Sequence, residues 1–145
     1  MPNHAWSVLC EKVIVDKETN NVSLISCREQ VTSPVLPVHV ANVSIATLWY
    51  KDDKSATHNE DFRLALNLIA PDDSVKELGR IKVVMKNPRQ RVNFYFDVLP
   101  FQQAGTYYFT LSKSEDASGE RWSEVSRLPF VVIYSPPETK IARGS

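Results

Sequence analysis

Apolar and polar residues alternate along most of this chain, and that period of two limits what it can fold into more than any other feature. Clear examples span residues 62–68, 92–98 and 107–111. Successive side chains of a β-strand point to opposite faces, so this spacing indicates strands with one buried face. No window of helical length shows the spacing of an amphipathic helix. The chain is therefore predicted to be all-β.

Turn-forming residues interrupt the alternation at short intervals and leave eight predicted strands. These span residues 6–16, 22–30, 38–51, 62–70, 75–86, 91–98, 106–113 and 121–134. Short strands joined by hairpin-length links are typical of a sandwich. We expect a single antiparallel β-sandwich of about eight strands, with Greek-key connections of immunoglobulin-like or C2-like kind, over residues 1–134. The proline-rich residues 135–145 are expected to form a C-terminal tail.

Charge and cysteine content restrict the setting in which the chain works. Its 17 basic and 17 acidic side chains cancel, so the whole chain has no net attraction to nucleic acid or anionic lipid. The first apolar run is cut by Glu11 and Lys12, unlike a signal peptide, and no segment has the roughly 20 apolar residues of a membrane span. We expect a cytoplasmic protein without a membrane partner, in which Cys10 and Cys27 are reduced thiols.

Two short stretches resemble an immunoglobulin domain. They are "LWYKDDK" at 48–54 and "QAGTYYF" at 103–109. That family places a disulfide beside the buried Trp, with its second Cys two residues after the corner Tyr. Here Phe109 occupies that second position, so the disulfide framework is absent. We interpret Tyr107 as an inward corner residue whose hydroxyl bonds upstream backbone, and Phe109 as part of the core.

A second resemblance covers more of the chain. The opening "SVLCEKVIVDKETNNVSLIS", the later "AGTYYFTL" and the last strand "LPFVVIY" resemble a bacterial family of small cytosolic β-sandwich proteins known only as a domain of unknown function. The resemblance spans roughly residues 5–134. It implies a fold and no activity, because none of these motifs contains a reactive residue.

No constellation in the sequence predicts catalysis or a cofactor. His4, His39 and His58 stand apart from any nucleophile or second metal ligand, so we expect no catalytic residue, no metal site and no cofactor. Calcium is the weaker alternative, since acidic loops can gather at one end of a sandwich. The acids concerned are Asp16, Glu18, Asp52, Asp53, Glu115 and Asp116.

The candidate binding residues are a basic strip without an intervening acid: Arg80, Lys82, Lys86, Arg89 and Arg91. On the predicted strand 75–86 the strip alternates with Ile81, Val83 and Met85, which are expected to face the core. Basic residues on an edge strand also protect against aggregation, so this structural explanation stands beside recognition of a protein partner. Nucleic acid is the least favoured ligand of the strip.

The sequence therefore predicts a non-enzymatic accessory or protein-interaction protein of unknown oligomeric state. The alternative is a ligand-binding module of C2 or carbohydrate-binding type. Its contacts would be the loop acids or the aromatic side chains Tyr50, Tyr95, Tyr108 and Trp122. A concave aromatic surface or a cluster of carboxylates at one end of the sandwich would favour the module, and a flat apolar patch beside the basic strip would favour a protein partner.

Overall fold

The computed structural model describes residues 2–51, 60–115 and 121–137, and within these ranges it contains nine strands and no helix. The strands are β1 (Asn3–Val15), β2 (Val22–Cys27), β3 (Gln30–Ser33), β4 (Val38–Tyr50), β5 (Glu60–Ile69), β6 (Val75–Met85), β7 (Arg89–Phe101), β8 (Gly105–Ser114) and β9 (Ser123–Tyr134). The all-β prediction is confirmed. In this described part of the chain, nothing helical is long and apolar enough to cross a membrane.

The strands form two sheets with a shared apolar core. One sheet has the order β2-β1-β4-β7 and the other β3-β9-β8-β5-β6. Neighbours are antiparallel except β3 and β9, which are parallel. The prediction of a purely antiparallel arrangement is therefore wrong for the second sheet, which is mixed.

The predicted strand at 22–30 is in fact two strands in different sheets. β2 pairs with β1, whereas β3 starts at Gln30 and pairs with β9. Near the break, Ser26 has a φ of 54°, in the left-handed region that interrupts extended backbone. Glu29 then accepts a hydrogen bond from the Val131 N–H, so the chain has reached the second sheet before β3 begins.

Aromatic rings fill the centre of the core. Phe101, Phe109 and Phe130 are each about 1 % exposed, and the ring centroids of Phe101 and Phe130 lie 5.1 Å apart. Tyr107 is also buried, and its hydroxyl accepts from the Gln103 N–H at 3.0 Å and donates to the Gln103 carbonyl at 3.2 Å. The prediction of an inward corner Tyr107 beside a core Phe109 is confirmed.

The alternation changes phase within β4 and β7, and this moves some side chains to the opposite face. Val98, which the simple period places inside, is 50 % exposed, whereas Leu99 is buried. On β4 Val40 is buried, and the next buried residue along the strand is Val43. Between these two lies Asn42, whose φ is 55°, and this left-handed residue shifts the pattern by one.

Candidate functional site

A hydrogen-bonded contact joins the β1–β2 turn to β7, an edge strand of the four-stranded sheet. Arg91 lies on β7 at one edge, and Asn20 lies in the turn that joins β1 to β2 at the other. The Arg91 guanidinium donates hydrogen bonds to the Asn20 backbone carbonyl and, at 3.2 Å, to its side-chain Oδ1. The β1–β2 hairpin therefore reaches across the sheet to β7.

The local sequence shapes the turn that makes this contact. The Asp16 carboxylate accepts hydrogen bonds from the N–H groups of Glu18 and Thr19 at 2.8 and 3.2 Å, and these bonds lower the pKa of Asp16. Asn20 has a φ of 60°, which asparagine tolerates better than most residues. The turn thus presents the Asn20 carbonyl to the opposite edge.

One row of side chains crosses the face of this sheet that is turned away from the core. Trp6, Leu48 and Arg91 are partners in register on β1, β4 and β7. The next residue on β4, Trp49, is fully buried in the core, so Leu48 and its row face the other way. Tyr50 and Arg89 are likewise partners on this outer face.

Between the hairpin and this outer face lies a groove with a volume of about 850 Å³. It is lined by Trp6, Thr19, Asn20, Asn21, Val22, Leu48, Asn87, Arg89, Gln90 and Arg91. Its size is in the range of small-molecule sites. Every strand of the four-stranded sheet therefore contributes to one concave surface.

The described groove lining has a distinct chemical character. It carries two guanidinium groups and no carboxylate, together with four side-chain amides. Arg91 is engaged by Asn20, whereas Arg89 is exposed beside the opening. The half-buried indole of Trp6 adds an aromatic surface. Such a surface favours a ligand with an anionic group, several hydrogen-bonding hydroxyls and an apolar ring face.

A second hollow of about 500 Å³ lies along the same outer face, near the base of the hairpin. Tyr95 lines it and donates a hydrogen bond from its hydroxyl to Asn42 Oδ1 at 2.6 Å. Loss of hydration raises the pKa of Tyr95, and the neighbouring Asp97 adds to the shift. The phenol is therefore neutral near pH 7 and acts as a hydrogen-bond donor.

The structure divides the predicted basic strip between the two sheets. Arg89 and Arg91 lie on β7 and line the groove. Arg80 and Lys82 lie on β6, at the edge of the five-stranded sheet, and Lys86 follows that strand. The strip is therefore two separate surfaces, and its two arginines on β7 join residues that sequence reasoning did not select.

The β6 part of the strip has acidic and aromatic neighbours. Arg80 pairs with Glu77 at 2.7 Å, and its guanidinium lies 5.0 Å from the Trp122 ring centroid. Lys82 lies 3.5 Å from Asp61. Of the residues expected to face the core here, Val83 and Met85 are buried, but Ile81 is 38 % exposed. The prediction for Ile81 is wrong, because a side chain on an edge strand is covered by a neighbour on one side alone.

The aromatic residues predicted as alternative contacts do not form one surface. Tyr50 and Tyr95 lie on the four-stranded sheet. Tyr108 lies on β8 of the other sheet, with the Arg127 guanidinium 5.1 Å from its ring centroid, and Trp122 is beside Arg80. The aromatic residue in the groove is instead Trp6, which the sequence marks merely as part of the first strand.

The acidic residues considered for calcium lie partly outside the described residues, since Asp52, Asp53 and Asp116 fall in the gaps, as does His58. Within the described ranges, no three His, Cys, Asp or Glu side chains come close enough to hold a metal ion. His4 is half-buried and 2.5 Å from the Ser7 hydroxyl, and His39 is exposed on β4. Neither histidine lines the groove.

The fold and the groove define a two-sheet, all-β protein with a concave polar surface on one sheet. Residues 5–125 match the model of DUF6941, a family of unknown function. The chain belongs to this family, and the expectation that it falls in a family without a known activity is confirmed. A comparison with curated proteins finds no match.

Proposed function

We propose that this protein is a non-enzymatic binding module and that the groove over the four-stranded sheet holds an acidic saccharide. The observation that carries the proposal is the lining itself: a half-buried indole, two guanidiniums and four amides, with no carboxylate among the described lining residues. This concave surface supports the ligand-binding alternative raised by the sequence. In this proposal the described lining side chains bind and orient a ligand.

Each part of the groove has a role in this proposal. The face of a pyranose ring packs on the indole of Trp6, and the side-chain amides of Asn21 and Asn87 bond its hydroxyls. The guanidinium of Arg89 pairs with a carboxylate, which it matches in shape and charge. Arg91 holds the hairpin in place through Asn20. The proposed compartment is the cytoplasm, which agrees with free thiols at Cys10 and Cys27.

The direct test compares an acidic and a neutral form of one ligand. An oligogalacturonate trisaccharide and its methyl ester are titrated against the protein by calorimetry. We expect binding of the acid at micromolar to millimolar Kd, and at least a roughly tenfold weaker affinity for the ester, equivalent to about 1.4 kcal/mol. Added salt is expected to weaken binding of the acid.

Matched variants connect that binding to the groove. Trp6→Ala and Arg89→Ala are expected to abolish it, whereas Trp122→Ala and Arg80→Ala, which alter a similar pair on the other sheet, are expected to leave it unchanged. Equal binding of acid and ester, no binding of either, or full binding by Trp6→Ala would each contradict the proposal.

A second candidate is a protein partner on the edge strand β6, in line with the leading hypothesis from the sequence. Val84, 41 % exposed, lies on the outward face of β6 and falls between Lys82 and Lys86 in sequence. An edge strand also offers backbone groups to an added strand. This role would be supported if the wild-type protein can be crosslinked to a partner protein and the Val84→Lys variant cannot. We also propose that the fold is related to immunoglobulin-like or C2-like Greek-key sandwiches. The support for this relationship is the Tyr107 corner.

A further inference from the structure

Cys10 and Cys27 are directly opposite each other on the antiparallel strands β1 and β2. Both are free thiols. The residues beside them, Leu9 and Arg28, are joined by a 2.8 Å hydrogen bond from the Arg28 N–H to the Leu9 carbonyl. A bond at that flanking position makes the cysteine pair a non-hydrogen-bonded pair of the ladder.

Non-hydrogen-bonded pairs bring their side chains closer than any other antiparallel pair. Their Cα atoms are about 4.5 Å apart, and the two side chains lie on the same face. A disulfide requires Cα atoms roughly 4.4–6.8 Å apart. The register of β1 and β2 therefore places the two sulfurs within bonding reach without a change of strand pairing.

The two thiols differ in access to solvent. Cys10 is fully buried and Cys27 is exposed. Burial raises the pKa of the Cys10 thiol, and the neighbouring Cys27 adds to the increase. An oxidant from solution therefore meets Cys27, whereas Cys10 stays protected as a thiol directly across the ladder.

We propose that Cys10 and Cys27 form an oxidative modification site at which a hydroperoxide links β1 to β2 by a reversible disulfide. The Cys27 thiolate attacks the O–O bond of hydrogen peroxide, becomes a sulfenic acid and releases hydroxide, which takes up the thiol proton to form water. The Cys10 sulfur then attacks the Cys27 sulfur and displaces the sulfenic oxygen, which leaves as a second water with the Cys10 proton. Two thiols lose two electrons in total, and one peroxide gains them.

This crosslink closes a loop around residues 11–26, which form the hairpin whose tip is held by Arg91. A disulfide across a loop of this length restricts the unfolded chain and is expected to raise the melting temperature by roughly 6–10 °C. The proposal does not depend on the ligand of the groove. It concerns the hairpin itself.

The test treats the reduced, folded protein with one equivalent of hydrogen peroxide. The expected product is a monomer that has lost the mass of two hydrogens, gives one peptide containing Cys10 linked to Cys27, and is restored by dithiothreitol. The same treatment in urea is expected to give this bond at least roughly tenfold more slowly, since the register that aligns the sulfurs is then lost.

Single variants separate the two steps. Cys10→Ser is expected to accumulate a sulfenic acid at Cys27 that dimedone captures, whereas Cys27→Ser is expected to react slowly because its remaining thiol is buried. Three outcomes would each overturn the proposal. They are a wild-type product that has gained oxygen atoms but has no Cys10–Cys27 disulfide, a disulfide-linked dimer, and equal rates of disulfide formation in folded and urea-treated protein.

Discussion

The Arg91 guanidinium on the last strand of the four-stranded sheet is hydrogen-bonded to Asn20 in the turn beyond its first strand. Two residues 71 apart in sequence thereby connect the β1–β2 turn to the edge strand β7. Because these bonds connect the tip of the hairpin to β7 on the outer face, we expect them to govern how the hairpin lies over the groove rather than how the core packs.

Arg91→Ala is therefore expected to loosen the hairpin while the core remains folded. Amide hydrogen exchange should become faster across residues 16–25, and the free energy of unfolding should fall by no more than about 1 kcal/mol. Arg89→Ala is the matched control, because Arg89 lies two residues away on the same strand and outer face. Unchanged exchange in Arg91→Ala would show that the bond does not hold the hairpin.

Gly105, at the start of β8, is expected to tolerate no side chain. Its φ is 132°, and an added Cβ would lie 2.8 Å from Pro71 Cγ. Gly105→Ala should therefore lower the free energy of unfolding by about 1–3 kcal/mol. Gly79→Ala is the control, since the nearest Phe94 atom is 3.7 Å away and alanine suits a strand better than glycine. Equal urea midpoints for the two variants would contradict this account.

Substitutions in "QAGTYYF" should rank by burial. Phe109→Ala removes a ring from the core and is expected to cost about 3–5 kcal/mol. Tyr107→Phe removes a hydroxyl that bonds both polar groups of the Gln103 backbone, and it is expected to lower the free energy of unfolding by about 1 kcal/mol. Tyr108→Ala should cost less than Phe109→Ala, because Tyr108 is half-buried and faces Arg127. Urea denaturation gives the order, and a Phe109→Ala midpoint equal to that of the wild type would reverse it.

His4 should make stability depend on pH near neutrality. Burial lowers its pKa below the usual 6.5, with a smaller contribution from the charge of Lys113. The unfolded chain then binds the proton more readily than the folded protein, so stability is complete above about pH 6.5 and falls as the pH drops through the unfolded pKa toward the folded one. The loss should stay below about 1 kcal/mol, because the ring is partly exposed and screened. Urea melts at pH 7.5 and 5.5 should show a smaller difference in His4→Gln than in the wild type.

Much of the fold follows from local pattern, because strand alternation and turn residues act over a few neighbours. Sequence reasoning therefore found every long strand and the Tyr107 corner. It missed β3 because a left-handed Ser26 has no signature in residue type and because the pairing of β3 with β9 joins segments about a hundred residues apart.

The groove could be predicted from the sequence only in part, because most of its lining is brought together by long-range strand pairing. Arg89 and Arg91 stood out as charges, but their neighbours depend on that pairing. Trp6 enters the groove through its register with Leu48, and Asn20 enters it because the hairpin reaches β7. Such partners are set by long-range strand pairing, which the spacing of apolar residues does not encode.

The parallel pairing of β3 with β9 also determines when the five-stranded sheet can be completed during synthesis of the chain. β9 lies between β3 and β8 in the five-stranded sheet, so the ribosome synthesises β3 long before its neighbour exists. During translation the backbone of Gln30–Ser33 waits without its strand partner while residues up to Tyr134 are added. This sheet is therefore completed late in synthesis, and nascent chains that stop before Ser123 leave two of its strand edges, on β3 and β8, open to pairing with other polypeptides.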